Sequence, residues 1–405
     1  MIAHRAALAV LAVLAVLAVA TAGVATAGVA AARAVRFAGP DWSQPVRLAG
    51  PFAVDVLPAE ISFSPTGEAA VGFVLEDADD PVLANPFVLV RPPRGRPGPP
   101  RPVAGAQAIL DLGFAGPLTL LTGATPAGET CCTDAQVMDA QRGGFGGRRT
   151  LVSGLTGATT GELVALGGQR ALAAVATGRG VWVSQSDGAG RFPPARRLTL
   201  AGDRPVALAA TGLAGDASIV AWATQSTPRT IFSATGSRLR GPRGRRAAVV
   251  VPSGHQVDEL AVGRGSGPPT VAWIESWLDR SGGYHSQPVV EDLSAAPRPH
   301  PFPVGAQAAS GLSFAADAGG DQVIAWEQCT TAGTCSAIAA QRRAGGRFGV
   351  PQYLGAVDPS QPPVATISPG GQALVGWIRL GQVVVAAGSP APSSPPVSSS
   401  SSSAP

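Results

Sequence analysis

The chain has 405 residues, room for one large domain or two ordinary ones. Charged residues are only 14% and hydrophobic ones 45%, with 52 glycines and 38 prolines, which argues for many short strands joined by tight turns and against a mainly helical protein. The formal charge of +4 comes from 30 basic residues, all arginine and scattered along the chain, so it leaves no footprint of a nucleic-acid partner.

Met1 to Arg5 supply a short positive segment, residues 6–20 are an Ala/Leu/Val run, and small-residue cleavage patterns follow at Ala20-Thr21-Ala22, Ala25-Thr26-Ala27 and Ala30-Ala31-Ala32. Residues 1–32 are therefore expected to be a signal peptide, which places the protein outside the cytoplasm. The alternative is an uncleaved anchor, since no charge stands between Arg5 and Arg33; this is the one way the chain would touch a membrane.

From there on the chain repeats. An apolar strand ending on a large residue recurs, clearest in Ile219-Val220-Ala221-Trp222, Thr270-Val271-Ala272-Trp273, Val323-Ile324-Ala325-Trp326 and Leu374-Val375-Gly376-Trp377. Weaker copies end at Phe73, Leu121 and Val175, and the seven positions are spaced by 47 to 54 residues. Each copy reads as four short strands: an alternating first strand, a Gly or Asp turn, the strand with the large residue, a short apolar third strand, and an ending of the form Phe-x-x-Pro followed by Leu, as in Phe348 to Leu354. The expected fold is all-β, a seven-bladed β-propeller of four-stranded antiparallel blades spanning residues 36–387, with six blades as the alternative. The repeated aromatics are read as packing between neighbouring sheets.

The last copy stops after its third strand, and the missing ending is found at the other terminus, where Arg36-Phe37 to Pro45-Val46-Arg47-Leu48 matches the pattern. Residues 36–48 are thus expected to complete the last blade. The Ser/Pro-rich tail, residues 388–405, cannot bury apolar surface and is expected to be disordered.

In its repeat pattern the chain resembles exported bacterial β-propeller proteins and, more loosely, sialidase-like and WD-type propellers. The Gly-His and Trp-Asp signatures of WD repeats are missing, and Ser186-Asp187-Gly188-Ala189-Gly190-Arg191-Phe192 is only faintly similar to the aspartate-box turn of sialidases, with different spacing.

Candidate sites concentrate in the connections between second and third strands. In the fifth copy Glu275, Trp277, Asp279, Arg280, Tyr284 and His285 read as one loop, and aromatics beside carboxylates suit a glycan or peptide. Acidic residues Glu76, Asp77, Asp79 and Asp80 in the first copy are candidate Ca2+ ligands, although the EF-hand spacing and glycine are absent; no other cofactor is expected. Cys329 and Cys335 flank a hairpin turn and are expected to be bridged, whereas the state of the adjacent Cys131 and Cys132 stays open. Two arginine-rich stretches, Arg91 to Arg101 and Arg238 to Arg246, are ordinary surface charge or a contact for anionic glycans. The expected function is non-catalytic binding of an extracellular glycan, peptide or protein by a monomer. The alternative is a glycoside hydrolase or lyase using carboxylates such as Glu275 and Glu327.

Overall fold

The computed structural model describes residues between Phe37 and Gly388, leaving out short stretches between strands, the longest at 76–84 and 125–133. The candidate signal peptide, the acidic group Glu76 to Asp80, the pair Cys131 and Cys132, and the tail from 389 onward lie outside the described residues.

The described residues form seven four-stranded antiparallel sheets, a two-stranded ribbon of Phe37–Gly39 with Trp42–Ser43, and a 3-10 turn at Gly241–Gly244. Sheet 1 holds Val56–Phe63, Ala69–Leu75, Asn85–Arg91 and Arg101–Pro102. Sheet 2 holds Ala108–Phe114, Leu118–Ala124, Asp134–Gln141 and Gly144–Val152. Sheet 3 follows with Thr160–Leu166, Arg170–Thr177, Gly180–Gln185 and Arg196–Arg197, and sheet 4 with Pro205–Gly212, Ser218–Thr224, Thr230–Gly236 and Arg245–Val250. Sheet 5 is His255–Gly263, Thr270–Leu278, Tyr284–Asp292 and His300–Pro301; sheet 6 is Ala308–Ala316, Gln322–Cys329, Cys335–Arg342 and Gln352–Val357. Sheet 7 combines Val364–Ile367, Ala373–Arg379 and Gln382–Ala387 with Val46–Ala49, which pairs antiparallel with Gln382–Ala387. Among the described residues no helix is long and apolar enough to cross a membrane.

The seven large residues of the repeat all lie in second strands, one per sheet. Their neighbours explain the recurrent Val-Ala-Trp. Side chains alternate across a strand, so Val220 and Trp222 point to one face while Ala221 and Ala223 point to the other. Trp222 packs with Leu172 and Ala174 of sheet 3, and Trp273 with Ala221 and Ala223 of sheet 4. Trp326 packs with Ala272 and Ile274 of sheet 5, and Trp377 with Val323 and Ala325 of sheet 6. Sheets 4 to 7 therefore each set a ring against the sheet before them, where small residues make room for it, so that these neighbouring sheets close on a bulky side chain without a void. Trp42, 1% exposed, joins the same cluster as Trp377, and Ser43 Oγ accepts the Ala387 N–H at 2.9 Å.

First strands of consecutive sheets pack side by side. Several carry a β-bulge, at Leu57/Glu60, Ile109/Asp111, Val257/Glu259 and Ser310/Ser313. At three of them the residue after the bulge reaches the next sheet. Asp111 accepts the Leu163 N–H, Glu259 accepts those of Gly311 (2.9 Å) and Leu312, and Ser313 Oγ accepts that of Ala365 (2.9 Å). The bulge turns a polar side chain sideways along the row of first strands, where an ordinary pleat would aim it away.

Candidate functional site

The sequence-derived candidates of the fifth copy come together, but on a hairpin and not an irregular loop. Second and third strands of sheet 5 pair continuously from Thr270↔Asp292 to Leu278↔Tyr284, leaving only residues 279–283 as a turn. Polar and aromatic residues facing one another across the strands sustain this extension.

The turn is built by Asp279. Its N–H donates to Gly283 O at 2.9 Å and its carbonyl accepts from Gly282 N at 3.0 Å, with Gly282 at φ +84°, a conformation that favours glycine. The Asp279 carboxylate accepts the Ser281 hydroxyl at 2.6 Å and the N–H groups of Ser281 and Gly283 at 2.8 Å each, while His285 Nε2 lies 2.8 Å from its other oxygen. Bonds from the Ser281 hydroxyl, His285 and the Gly283 N–H hold this carboxyl well below the usual carboxylate range. The same turn recurs at Asp187, whose Oδ1 accepts the N–H groups of Ala189 and Arg191, and at Asp317, whose Oδ1 accepts those of Gly320 and Asp321. The faint aspartate-box likeness at Ser186 to Phe192 thus marks a structural turn.

His255, Trp277 and His285 occupy one register row across the first three strands. Trp277 is stacked on both faces, with ring centroids 4.8 Å from His255 and 5.4 Å from His285 and interplanar angles of 10° and 17°. Glu275, buried, accepts from Gln287 Nε2 at 3.2 Å and lies 3.1 Å from His255 Nδ1. Glu275, Trp277 and Asp279 are therefore engaged within the hairpin. The surface the hairpin offers is Tyr284 and Leu278, a cross-strand pair 56% and 68% exposed, with the Tyr284 hydroxyl donating to Asp258 Oδ2 at 3.3 Å. His255 and Asp258 escaped sequence reasoning because they come from the first strand, where the bulge at Val257/Glu259 breaks the alternation.

On the adjacent sheet Glu327 is buried, with Ser310 Oγ donating to it at 3.4 Å. Burial pushes its carboxyl up and the negative charge of Glu259 adds to this, against the Ser310 bond. Cys329 and Cys335, paired in register across the second hairpin of sheet 6, form a disulfide, which removes both sulfurs from the metal-like grouping they make with Glu327. In the stretch Arg238 to Arg246, Arg245 pairs with Asp203 and lies over the Phe232 ring at 4.5 Å from its centroid. Of the other stretch, Arg101 lies in the short fourth strand of sheet 1 and is exposed.

No protein-family model and no curated protein sequence matches the chain. Among solved structures it is similar to polysaccharide lyase Uly1, at 8% identity over 90% of this chain and 94% of that one, with a TM-score of 0.50. It is also similar to the β-propeller domain of the Trilobed protease from Pyrococcus furiosus (10% identity, 70% and 80% coverage, TM-score 0.41) and to the Penicillium chrysogenum alpha-L-arabinanase (11%, 87% and 99%, TM-score 0.44). At such identities the likeness is one of fold. With its four-stranded antiparallel sheets, the chain is an all-β protein of the β-propeller type.

Proposed function

We propose that the chain is an exported, seven-bladed β-propeller, closed by Val46–Ala49 as the outer strand of its last blade, that binds an extracellular glycan through the sheet 5 hairpin without catalysis. One observation carries the reading: an exposed aromatic, Tyr284, with Leu278 beside it and Asp258 at its hydroxyl, stands on a hairpin stiffened by the His255–Trp277–His285 stack. A ring face supplies stacking area for a sugar, a carboxylate takes its hydroxyls, and a rigid support lowers the ordering cost of binding. The stack leaves Tyr284, and not Trp277, to meet the ligand. The disulfide Cys329–Cys335 supports an oxidising compartment.

A glycan and polysaccharide array read for binding and for cleavage tests this. Binding without cleavage that is lost in Tyr284→Ala supports it; binding to no glycan overturns it. Catalysis is the second reading, favoured by Glu327, a buried carboxyl held up toward the range of a general acid. Cleavage that disappears in Glu327→Gln would establish that reading in its place.

A further inference from the structure

Sheets 3 and 4 carry a second site that the hairpin reading does not use. At the end of sheet 3 that holds its third-to-fourth connection, opposite the end that bears second-to-third hairpins, an open cleft of about 630 Å³ is lined by Arg149, Arg170, Arg191, Arg196 and Arg238 against one carboxylate, Asp187. These arginines come from three sheets, so the fold and not a run of sequence brings them together: Arg149 lies on sheet 2, Arg170, Arg191 and Arg196 belong to sheet 3, and Arg238 follows the third strand of sheet 4.

Three of the five are fixed. Arg149 Nη1 donates to Phe192 O at 2.6 Å, Arg191 Nε donates to Asp187 Oδ2 at 3.0 Å, and Arg170 is paired with Asp216. Asp187 is itself committed to its turn, accepting the N–H groups of Ala189 and Arg191. Arg196 and Arg238 are exposed, and neither has a carboxylate partner among the described residues. Guanidinium groups held with like charges around them gain most from an oxyanion, which they grip with two parallel N–H donors. The volume suits one or two sugar units. Phe192, the one aromatic lining the cleft, is 3% exposed and has no ring face to offer a base.

We infer that this cleft binds an acidic saccharide, its carboxylate or sulfate groups taken by Arg196 and Arg238 beside Arg149, which is bonded to a carbonyl and keeps its full charge. The site is independent of the sheet 5 hairpin.

Isothermal titration of the full chain with size-defined heparin and oligogalacturonate fragments, and with inorganic polyphosphate as a comparison, tests it. The expected result is saccharide binding that weakens as salt rises and falls at least tenfold in Arg196→Ala/Arg238→Ala, while Tyr284→Ala leaves it unchanged. Both arginines are exposed, so an unaltered melting temperature will certify the fold of the double variant. No binding of either saccharide, binding insensitive to the double variant, or binding of polyphosphate alone would overturn the inference.

Discussion

Trp277 lies face to face with His255, their centroids 4.8 Å apart and their planes 10° from parallel, although the two residues come from different strands of sheet 5. With His285 on its other face, Trp277 works as the spine of the hairpin. Stacked aromatic pairs contribute about 0.5 to 1.5 kcal/mol each. Trp277→Ala should therefore cost about 1 to 3 kcal/mol in chemical denaturation and should loosen residues 274–288 in hydrogen exchange before the rest of sheet 5. A glycan bound at Tyr284 should lose affinity in this variant although Trp277 does not touch it.

Glu291 gives a pH signature. It is buried on the third strand of sheet 5, and burial, reinforced by the charge of Asp292, pushes its carboxyl up to about 7. Between about pH 4.5 and 7 the folded chain keeps a proton that the unfolded chain has released, so stability contributed by this group falls as pH rises through that window. Glu291→Gln should flatten that part of the stability curve and melt higher than the parent above pH 7, as read by thermal scans across pH.

The small residue in front of each tryptophan is as constrained as the ring. Ala272 is wholly buried in the cluster that holds Trp326. Ala272→Leu should destabilise by about 1 to 3 kcal/mol through overpacking, and Trp326→Ala by about 3 to 5 kcal/mol through the cavity it leaves. Equilibrium denaturation of both variants checks this; a neutral Ala272→Leu would contradict the interlock.

Much of this architecture was legible because two periodicities coincide. The step of about fifty residues marks the sheets, and alternation within Val220-Ala221-Trp222 marks which side chains meet the neighbour. The tip of sheet 5 was legible as a set of residues but not as a structure. Nothing in Glu275 to His285 announces that strands continue on both sides of the turn, and one of the two rings stacked on Trp277, His255, lies twenty-odd residues upstream on another strand. The arginine cleft was invisible for the same reason: its members are dispersed over sheets 2, 3 and 4, and only the packing of those sheets brings them side by side.

Residues from the start of the described chain finish sheet 7, through the pairing of Val46 with Val385 and the burial of Trp42 against the Trp377 cluster. Deleting residues 36–48 should leave an unpaired edge on Gln382–Ala387 and lower the melting temperature of the whole domain in one transition, accompanied by concentration-dependent association. Trp42→Ala is the milder form, expected to cost about 3 to 5 kcal/mol. A truncated chain that melts like the parent would show that the strand is dispensable.

Glu259 offers the most local test. Both its oxygens accept backbone N–H groups of sheet 6, so Glu259→Ala leaves two donors without a partner at the junction of two sheets. A loss of about 2 to 4 kcal/mol is expected, above that of an exposed carboxylate. Glu259→Gln, which keeps one acceptor, should recover part of it.

The side chains that follow the bulges also bear on how such a chain is inherited. Asp111, Glu259 and Ser313 each offer an acceptor to the succeeding unit, and Asp111 holds the Leu112 N–H of its own strand as well. Sheet 6 is thus incomplete by itself: its first strand carries the acceptor Ser313 for its successor and the donors Gly311 and Leu312 for its predecessor. Duplicating or excising one unit preserves this grammar only if the cut falls between a donor and its acceptor in the same place in every copy. The boundaries along which the gene can grow or shrink are therefore set by those bonds.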